Sequence, residues 1–257
     1  MRFASLGSGS KGNATLVATG AGAVLIDCGF SVRETLARLA SIGMSADDLD
    51  AVLVTHEHGD HVRGAAALCR RFRVPLYASR GTIAALAAGR YALHGCEVRP
   101  LETGRVFRAG PFECLPVPVP HDAREPCQYV LEAGGRRLGV LSDLGSLTPT
   151  VVEHYAECDA LMLETNHDLQ LLQEGPYPPS LKRRVGGALG HLNNAQSATL
   201  LRHCNVDRLQ HLVLSHLSEQ NNTPGHALAA VHTVVEQGQE RIQVASQHAG
   251  VDWLELV

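Results

Sequence analysis

Seven consecutive residues, Thr55-His56-Glu57-His58-Gly59-Asp60-His61, constrain this chain more than any other stretch. They follow the apolar run Ala51-Val52-Leu53-Val54, which predicts a buried strand. The run Gly64-Ala65-Ala66-Ala67-Leu68 behind them predicts a helix. A polar cluster at the carboxyl end of a strand is where α/β sheets place their ligands. His56 and His58 are two apart, so in extended chain they point the same way. Asp60 and His61 stand at the turn into the helix and can face the same pocket from another side. Imidazoles with a carboxylate suit zinc, iron or manganese. A histidine-rich surface loop does not explain a strand that delivers four ligands into one turn.

The totals bound the rest. The 257 residues suit one large α/β domain, and 45% apolar residues suffice for a full core. Net charge is −4, so any contact with nucleic acid must use a local patch. Seven scattered cysteines without Cys-x-x-Cys predict reduced core thiols and a cytoplasmic setting. The apolar residues of Met1–Gly7 are too few for a signal peptide, and no apolar run is long enough to span a membrane. Fourteen histidines make a lone one weak evidence. His94, His154, His203, His211, His226, His232 and His248 lack a strand-end context and read as structural or solvated.

Other strand ends repeat the first pattern. Arg2–Leu6, Ala14–Thr19 and Ala23–Asp27 predict strands, with the loop Gly7-Ser8-Gly9-Ser10-Lys11-Gly12-Asn13 between the first two. That loop is no Walker loop, because a strand follows it. Its amides and the groups of Ser8, Ser10 and Asn13 are candidates to border a substrate anion. Asp27 closes a buried strand and is expected to hydrogen-bond the metal loop without binding metal. Ser31 predicts the cap of a helix to about Ile42. Residues 97–119 predict a block of short antiparallel strands that ends at His121. Tyr129–Ala133 and Arg137–Leu141 pair across Gly134-Gly135, and the second delivers Asp143, a carboxylate that needs a partner if buried. Asp159–Glu164 ends in Thr165-Asn166-His167-Asp168. Residues 176–194 predict a long irregular stretch holding Lys182-Arg183-Arg184 and Gly190-His191-Leu192-Asn193-Asn194. Lys182 and Arg183 are candidates for phosphate contact. Asn193 or Asn194 caps the next helix. Leu209–Ser215 delivers His216, and Pro224 opens a helix to about Glu236. His121, Asp143 and His216 therefore join the metal-ligand candidates. The pieces fall into halves, 1–120 and 121–257.

The ordered set His56-x-His58-x-Asp60-His61, His121, Asp143 and His216 resembles that of metallo-β-lactamase-fold hydrolases. Asp27 matches that superfamily's structural aspartate, and Leu214-Ser215-His216-Leu217-Ser218 resembles its phosphodiesterase and nuclease branches. More narrowly, Leu6–Asn13, Thr55–His61, Glu164–Asp168, Gly190–Asn194 and His216–Asn222 look like the YycJ/WalJ group across essentially the whole chain. The resemblance implies a single αββα sandwich over 1–257, two mixed sheets packed together with helices on both outer faces. It implies two divalent ions, Zn2+ or Mn2+ with Fe also suited. His56, His58 and His121 would hold one ion, and Asp60, His61 and His216 the other, with Asp143 bridging. It also implies phosphodiester cleavage by a water that both ions activate, specifically a 5′-to-3′ DNA exonuclease linked to mismatch repair. Asp60, His191 and His167 are the candidate catalytic residues, with His191 placed to contact the phosphate or protonate the leaving oxygen. Two features depart from nuclease relatives. Only 73 positions separate Asp143 from His216, which leaves no room for the large β-CASP insert, and the net charge is acidic. Hydrolysis of a small thioester, lactone or cyclic phosphodiester is the alternative, and a metal-binding regulator is a third reading. The oligomeric state stays open, a homodimer included.

Overall fold

The computed structural model describes residues 1–89, 91 and 93–257. The first sheet is built from β1 (Arg2–Gly7), β2 (Ala14–Thr19), β3 (Gly22–Ile26), β4 (Leu49–Leu53), β5 (Leu76–Ser79) and β6 (Val98–Leu101). The second is built from β7 (Phe107–Ala109), β8 (Phe112–Pro118), β9 (Cys127–Ala133), β10 (Arg136–Leu141), β11 (Ala160–Glu164), β12 (His211–Ser215) and β13 (Ile242–Val244). The last strand, β14 (Val251–Glu255), returns to the first sheet and pairs antiparallel with β1. The two orders are β14-β1-β2-β3-β4-β5-β6 and β13-β12-β11-β10-β9-β8-β7. In each sheet an antiparallel part adjoins a parallel part: β3 to β6 in one, β10 to β13 in the other.

The helices are α1 (Val32–Ser41), α2 (Gly59–Val62), α3 (Ala65–Phe72), α4 (Arg80–Ala88), α5 (Pro149–Tyr155), α6 (Leu169–Glu174), α7 (Pro179–Val185), α8 (Asn194–Leu201) and α9 (Pro224–His232). Side chains of Ser31, Ser79, Thr148, Asp168, Asn193 and Thr223 cap six of them. Each such cap contributes about 1 kcal/mol. Three apolar layers hold the elements together. Phe3, Val17, Leu53, Phe112, Tyr129, Leu131 and Val213 fill the space between the sheets. Leu25, Val52, Leu39 and Leu68 join the first sheet to α1 and α3. Leu141, Leu163, Val151, Leu200 and Val231 join the second sheet to α5, α8 and α9. Each fully buried leucine contributes roughly 2–3 kcal/mol. This is the αββα sandwich that the resemblance implied.

Four expectations are corrected. Residues 97–119 do not form one antiparallel block: β6 lies parallel to β5 in the first sheet, and only β7 and β8 belong to the second. The helix α4 between β5 and β6 makes a βαβ crossover, which returns a strand parallel to its predecessor. The sheets therefore divide between 101 and 107, not at 120, and β14 crosses back. Residues 176–194 are not irregular throughout, because α7 starts at Pro179 with a residue type suited to a first helical position. It buries no residue, so no apolar period could announce it. The helix from Pro224 stops at His232, where the β-branched run Thr233-Val234-Val235 begins.

Candidate metal centre and active site

The carboxyl ends of β4, β8, β10 and β12 deliver His56–His61, His121, Asp143 and His216 to one edge of the sandwich. Asp27, Asp143 and His216 have φ of 60°, 52° and 54°. These left-handed conformations cost about 1–2 kcal/mol each in a non-glycine residue. They turn the chain sharply just beyond β3, β10 and β12.

Hydrogen bonding fixes which nitrogen of each ring faces inward. Asp27 Oδ1 accepts from Thr55 N (2.9 Å) and Oδ2 from Thr55 Oγ1 (2.9 Å). The Thr55 hydroxyl hydrogen is thereby committed, so His56 Nδ1 donates to that oxygen at 2.9 Å and Nε2 keeps its lone pair. His121 Nδ1 donates to the Gly190 carbonyl at 3.0 Å, which again leaves Nε2 bare. Those two Nε2 atoms face His58 Nδ1 at 3.0 and 3.3 Å. Three ring nitrogens converging at that range suit a cation between them. His56, His58 and His121 thus form one group of donor atoms, all within 4.8 Å of one another.

The second group is richer in charge. His61 Nδ1 donates to Asp27 Oδ2 at 2.7 Å, and its Nε2 lies 2.6 Å from Asp143 Oδ2 and 3.5 Å from Asp60 Oδ2. His216 Nδ1 donates to Asn13 Oδ1 at 3.1 Å, and its Nε2 lies 3.2 Å from Asp143 Oδ1. Burial alone would raise the carboxyls of Asp60 and Asp143. The neighbouring imidazoles, His61 for Asp60 and His216 with His61 for Asp143, hold both below the usual range. Burial works against a charged His61, but Asp143, Asp27 and Asp60 push its pKa well above the ordinary value. Burial pushes His56 and His121 the other way and keeps them neutral. His56, His61 and Asp143 also gather within 4.8 Å, as do Asp143, Glu164, His191 and His216, so Asp143 belongs to two neighbouring groups of donor atoms. These adjoining groups, nitrogen-rich with carboxylate, fit divalent ions of the zinc class.

Above them opens a cavity of about 340 Å3. His191 enters its lining with Nδ1 2.7 Å from Glu164 Oε1 and 3.1 Å from Asp143 Oδ1. Glu164 is fully buried, and its Oε2 accepts from the amides of Leu144 and Leu192.

Residues 23–253 match the family model described as "Beta-lactamase superfamily domain". The chain belongs to the metallo-β-lactamase superfamily. It is 32% identical over 237 residues to exodeoxyribonuclease YycJ of Bacillus anthracis, covering 92% of this chain and 90% of that protein. It is 31% identical over 223 residues to exodeoxyribonuclease WalJ of Streptococcus pneumoniae, covering 86% and 83%. The crystal structure of the metallo-β-lactamase fold protein YhfI from Bacillus subtilis superposes with a TM-score of 0.76 at 18% identity, over 99% and 98% of the chains. The protein is an enzyme, a hydrolase of the metallo-β-lactamase fold.

Within this metallo-β-lactamase frame the remaining candidates separate. Ser10 lines the cavity, but Ser8 and Asn13 are buried behind it. Ser8 Oγ accepts from His216 N at 2.8 Å, and Asn13 Nδ2 donates to Asp60 Oδ2 at 3.3 Å. Both hold candidate metal ligands in place, and neither lines the cavity. His167 is fully buried, and burial pushes its pKa down to about 4. Its neighbour Asn166 reaches the cavity, and His167 does not line it. Lys182 Nζ donates to the Gln173 carbonyl at 2.5 Å, and Arg183 is exposed away from the lining. The cavity's basic group is Arg184, paired through Nε with Asp122 Oδ2 at 2.5 Å.

Sequence reasoning assigned no role to Glu164, Asp122, Tyr177 or Gly29. Glu164 carried the signal used for Asp143, a carboxylate closing an apolar strand. Gly29 carried none: a Cβ there would stand 1.6 Å from the Asp60 carbonyl oxygen. Only glycine lets the strand-end after β3 lie against the metal loop. No helix among the described residues is long and apolar enough to cross a membrane. All seven cysteines are free, and burial pushes the thiols of Cys28 and Cys127 up to about 12, far from nucleophilic.

Proposed function

We propose that this chain is a two-metal phosphodiesterase acting in the cytoplasm as a 5′-to-3′ DNA exonuclease. The observation that carries the reading is buried Asp143, which gathers with His56 and His61 on one side and with His216 and the Glu164-held His191 of the cavity wall on the other. The full-length likeness to two proteins named exodeoxyribonucleases supports the choice of DNA. His56, His58 and His121 would hold one divalent ion, Asp60, His61 and His216 the other, with Asp143 between them. Bound there, ions of the zinc, manganese or iron type would supply Lewis acidity toward phosphoryl oxygen and toward water at neutral pH.

The chain's own groups position the substrate. Glu164 and Asp143 hold His191 by Nδ1, which leaves Nε2 as the open edge of the ring. From there it donates to a phosphate oxygen or gives its proton to the leaving oxygen. Arg184 offers its guanidinium to the same phosphate, and Asp122 fixes its direction. Tyr177, Leu181 and Leu217 form an apolar wall for sugar and base. Asp27, Thr55, Asn13 and the Gly190 carbonyl keep the ligand rings from turning.

Protein loaded separately with zinc and manganese would be mixed with linear duplex DNA labelled at one 5′ end. Release of labelled mononucleotide or short product is the expected result. An inert duplex in the presence of rapid cleavage of an acyl thioester or a cyclic phosphodiester would move the assignment to small molecules. Cleavage of RNA in preference to DNA would move it to ribonucleases.

A further inference from the structure

Charge is segregated along this chain. From Val62 to Gly110 the sequence carries nine arginines and two carboxylates, whereas the remainder carries 13 basic against 24 acidic residues. A chain of net −4 therefore contains a segment of +7. The fold keeps that segment together as α3, β5, α4, β6 and β7, at the lateral end of the sandwich where both sheets finish. Its eight described arginines are all exposed. Arg99, Arg105 and Arg108 pair with Glu97, Glu102 and Glu113. Arg63, Arg70, Arg71, Arg73 and Arg80 have no carboxylate within 4.0 Å among the described residues.

This face runs up to the metal edge. β4, β5 and β6 are parallel, so the metal loop, Arg80 and Arg105 follow neighbouring strand ends on one side of the sheet. Ser79 Oγ donates to the Glu125 carbonyl (2.7 Å), and Gly81 N donates to Glu125 Oε2 (2.5 Å). These bonds fasten the start of α4 to the loop that carries His121 and Asp122. Arg80, Arg105 and Glu125 share one crevice of about 310 Å3 there. The metal cavity is small, so the body of a long polyanion has to lie outside it.

We propose that this arginine face is a second binding surface, specific for the phosphate backbone of a nucleic-acid duplex, which holds the duplex while its end occupies the metal cavity. The proposal rests on the phosphodiesterase reading of that cavity. Guanidinium groups match phosphate geometry and stay charged at all working pH values. Contacts of this kind release counterions, so their number is read from the salt dependence of binding. The acidic remainder of the surface repels the same polyanion and leaves one face for docking.

The test compares wild type, the triple variant Arg71→Gln/Arg73→Asn/Arg80→Gln, and the control Arg33→Gln/Arg202→Gln. Fluorescence anisotropy with a labelled DNA duplex, in EDTA to prevent cleavage, is repeated across a salt series. In the triple variant Kd should rise about tenfold or more, and the salt slope should shrink by about 2 to 3. The control should behave as wild type. With metal added, the triple variant should keep wild-type kcat/KM on a dinucleotide and lose it on the long duplex. Wild-type affinity and slope in the triple variant would overturn the surface and leave the phosphodiesterase reading standing. Equal losses on dinucleotide and duplex would overturn it too, by placing these residues in service of the cavity. If the triple variant loses binding to phosphatidylserine vesicles but not to duplex, the face is a membrane surface and the inference fails. Wild type inert toward both nucleic-acid substrates would remove the phosphodiesterase reading itself.

Discussion

Two regions frame the cavity, and they are built on opposite plans. The strand-end loops after β4, β8, β10 and β12 bury their chemistry: His56, His61, Asp143 and His216 are each no more than 3% exposed. Nearly every polar atom there has a fixed partner, and a further layer of Asp27, Thr55 and Asn13 fixes those partners in turn. The segment 175–190 on the other side carries α7, which buries no residue, and glycines at 175, 186, 187 and 190. It presents Tyr177, Leu181 and Arg184 to the cavity, with Arg184 paired to Asp122. On the proposed reading the contrast separates holding ions from touching substrate. Ion binding requires atoms fixed to a few tenths of an ångström, whereas a substrate wall can adjust as it fills.

Substitutions should divide along that line. Asp143→Ala removes the carboxylate proposed to lie between the two ions and should lower hydrolysis by roughly a thousandfold or more, measured as initial rates on labelled duplex. Gly29→Ala should come next, because its Cβ meets the Asp60 carbonyl oxygen at 1.6 Å. Displacing that loop should cost about 1–3 kcal/mol, read as a lower Tm, with reduced metal content. Asp27→Asn keeps the shape but weakens the hold on Thr55 and His61. Metal affinity should fall about 10- to 100-fold in chelator competition, with the fold unchanged by circular dichroism. On the other side of the cavity Arg184→Ala should raise KM several-fold and leave kcat within about twofold, the mark of uniform binding. Lys182→Ala should be smallest of all, within about twofold in both constants, since its ammonium is turned to the Gln173 carbonyl. A kcat collapse in Arg184→Ala, or a large effect at Lys182, would break the division.

The same division governed what could be read from the sequence. Buried strands ending in His, Asp or Glu were legible because a costly polar residue beside an apolar run needs a reason. That logic singles out His56, His58, Asp60, His61, His121, Asp143 and His216 as candidates, and the structure brings these side chains to one edge. It passed over Glu164, although the same signal was present. Ser8 and Asn13 are expected beside substrate but are buried, because a glycine-rich loop does not reveal which side chains turn inward. In α7 the basic triplet was legible as charge but not as direction, so Lys182 and Arg183 were favoured over Arg184. The registry of β6 with the first sheet was hidden for another reason. A short strand such as Val98–Leu101 carries no mark of the sheet it will join, and the crossover through α4 decides it.

Metal content is the most direct test of the claim that two ions share Asp143. Wild type and Asp143→Ala would be saturated with zinc, desalted and measured by inductively coupled plasma mass spectrometry against protein concentration. Two ions per chain in wild type and one or fewer in Asp143→Ala is the predicted result. One ion in wild type, or two retained by Asp143→Ala, would contradict it.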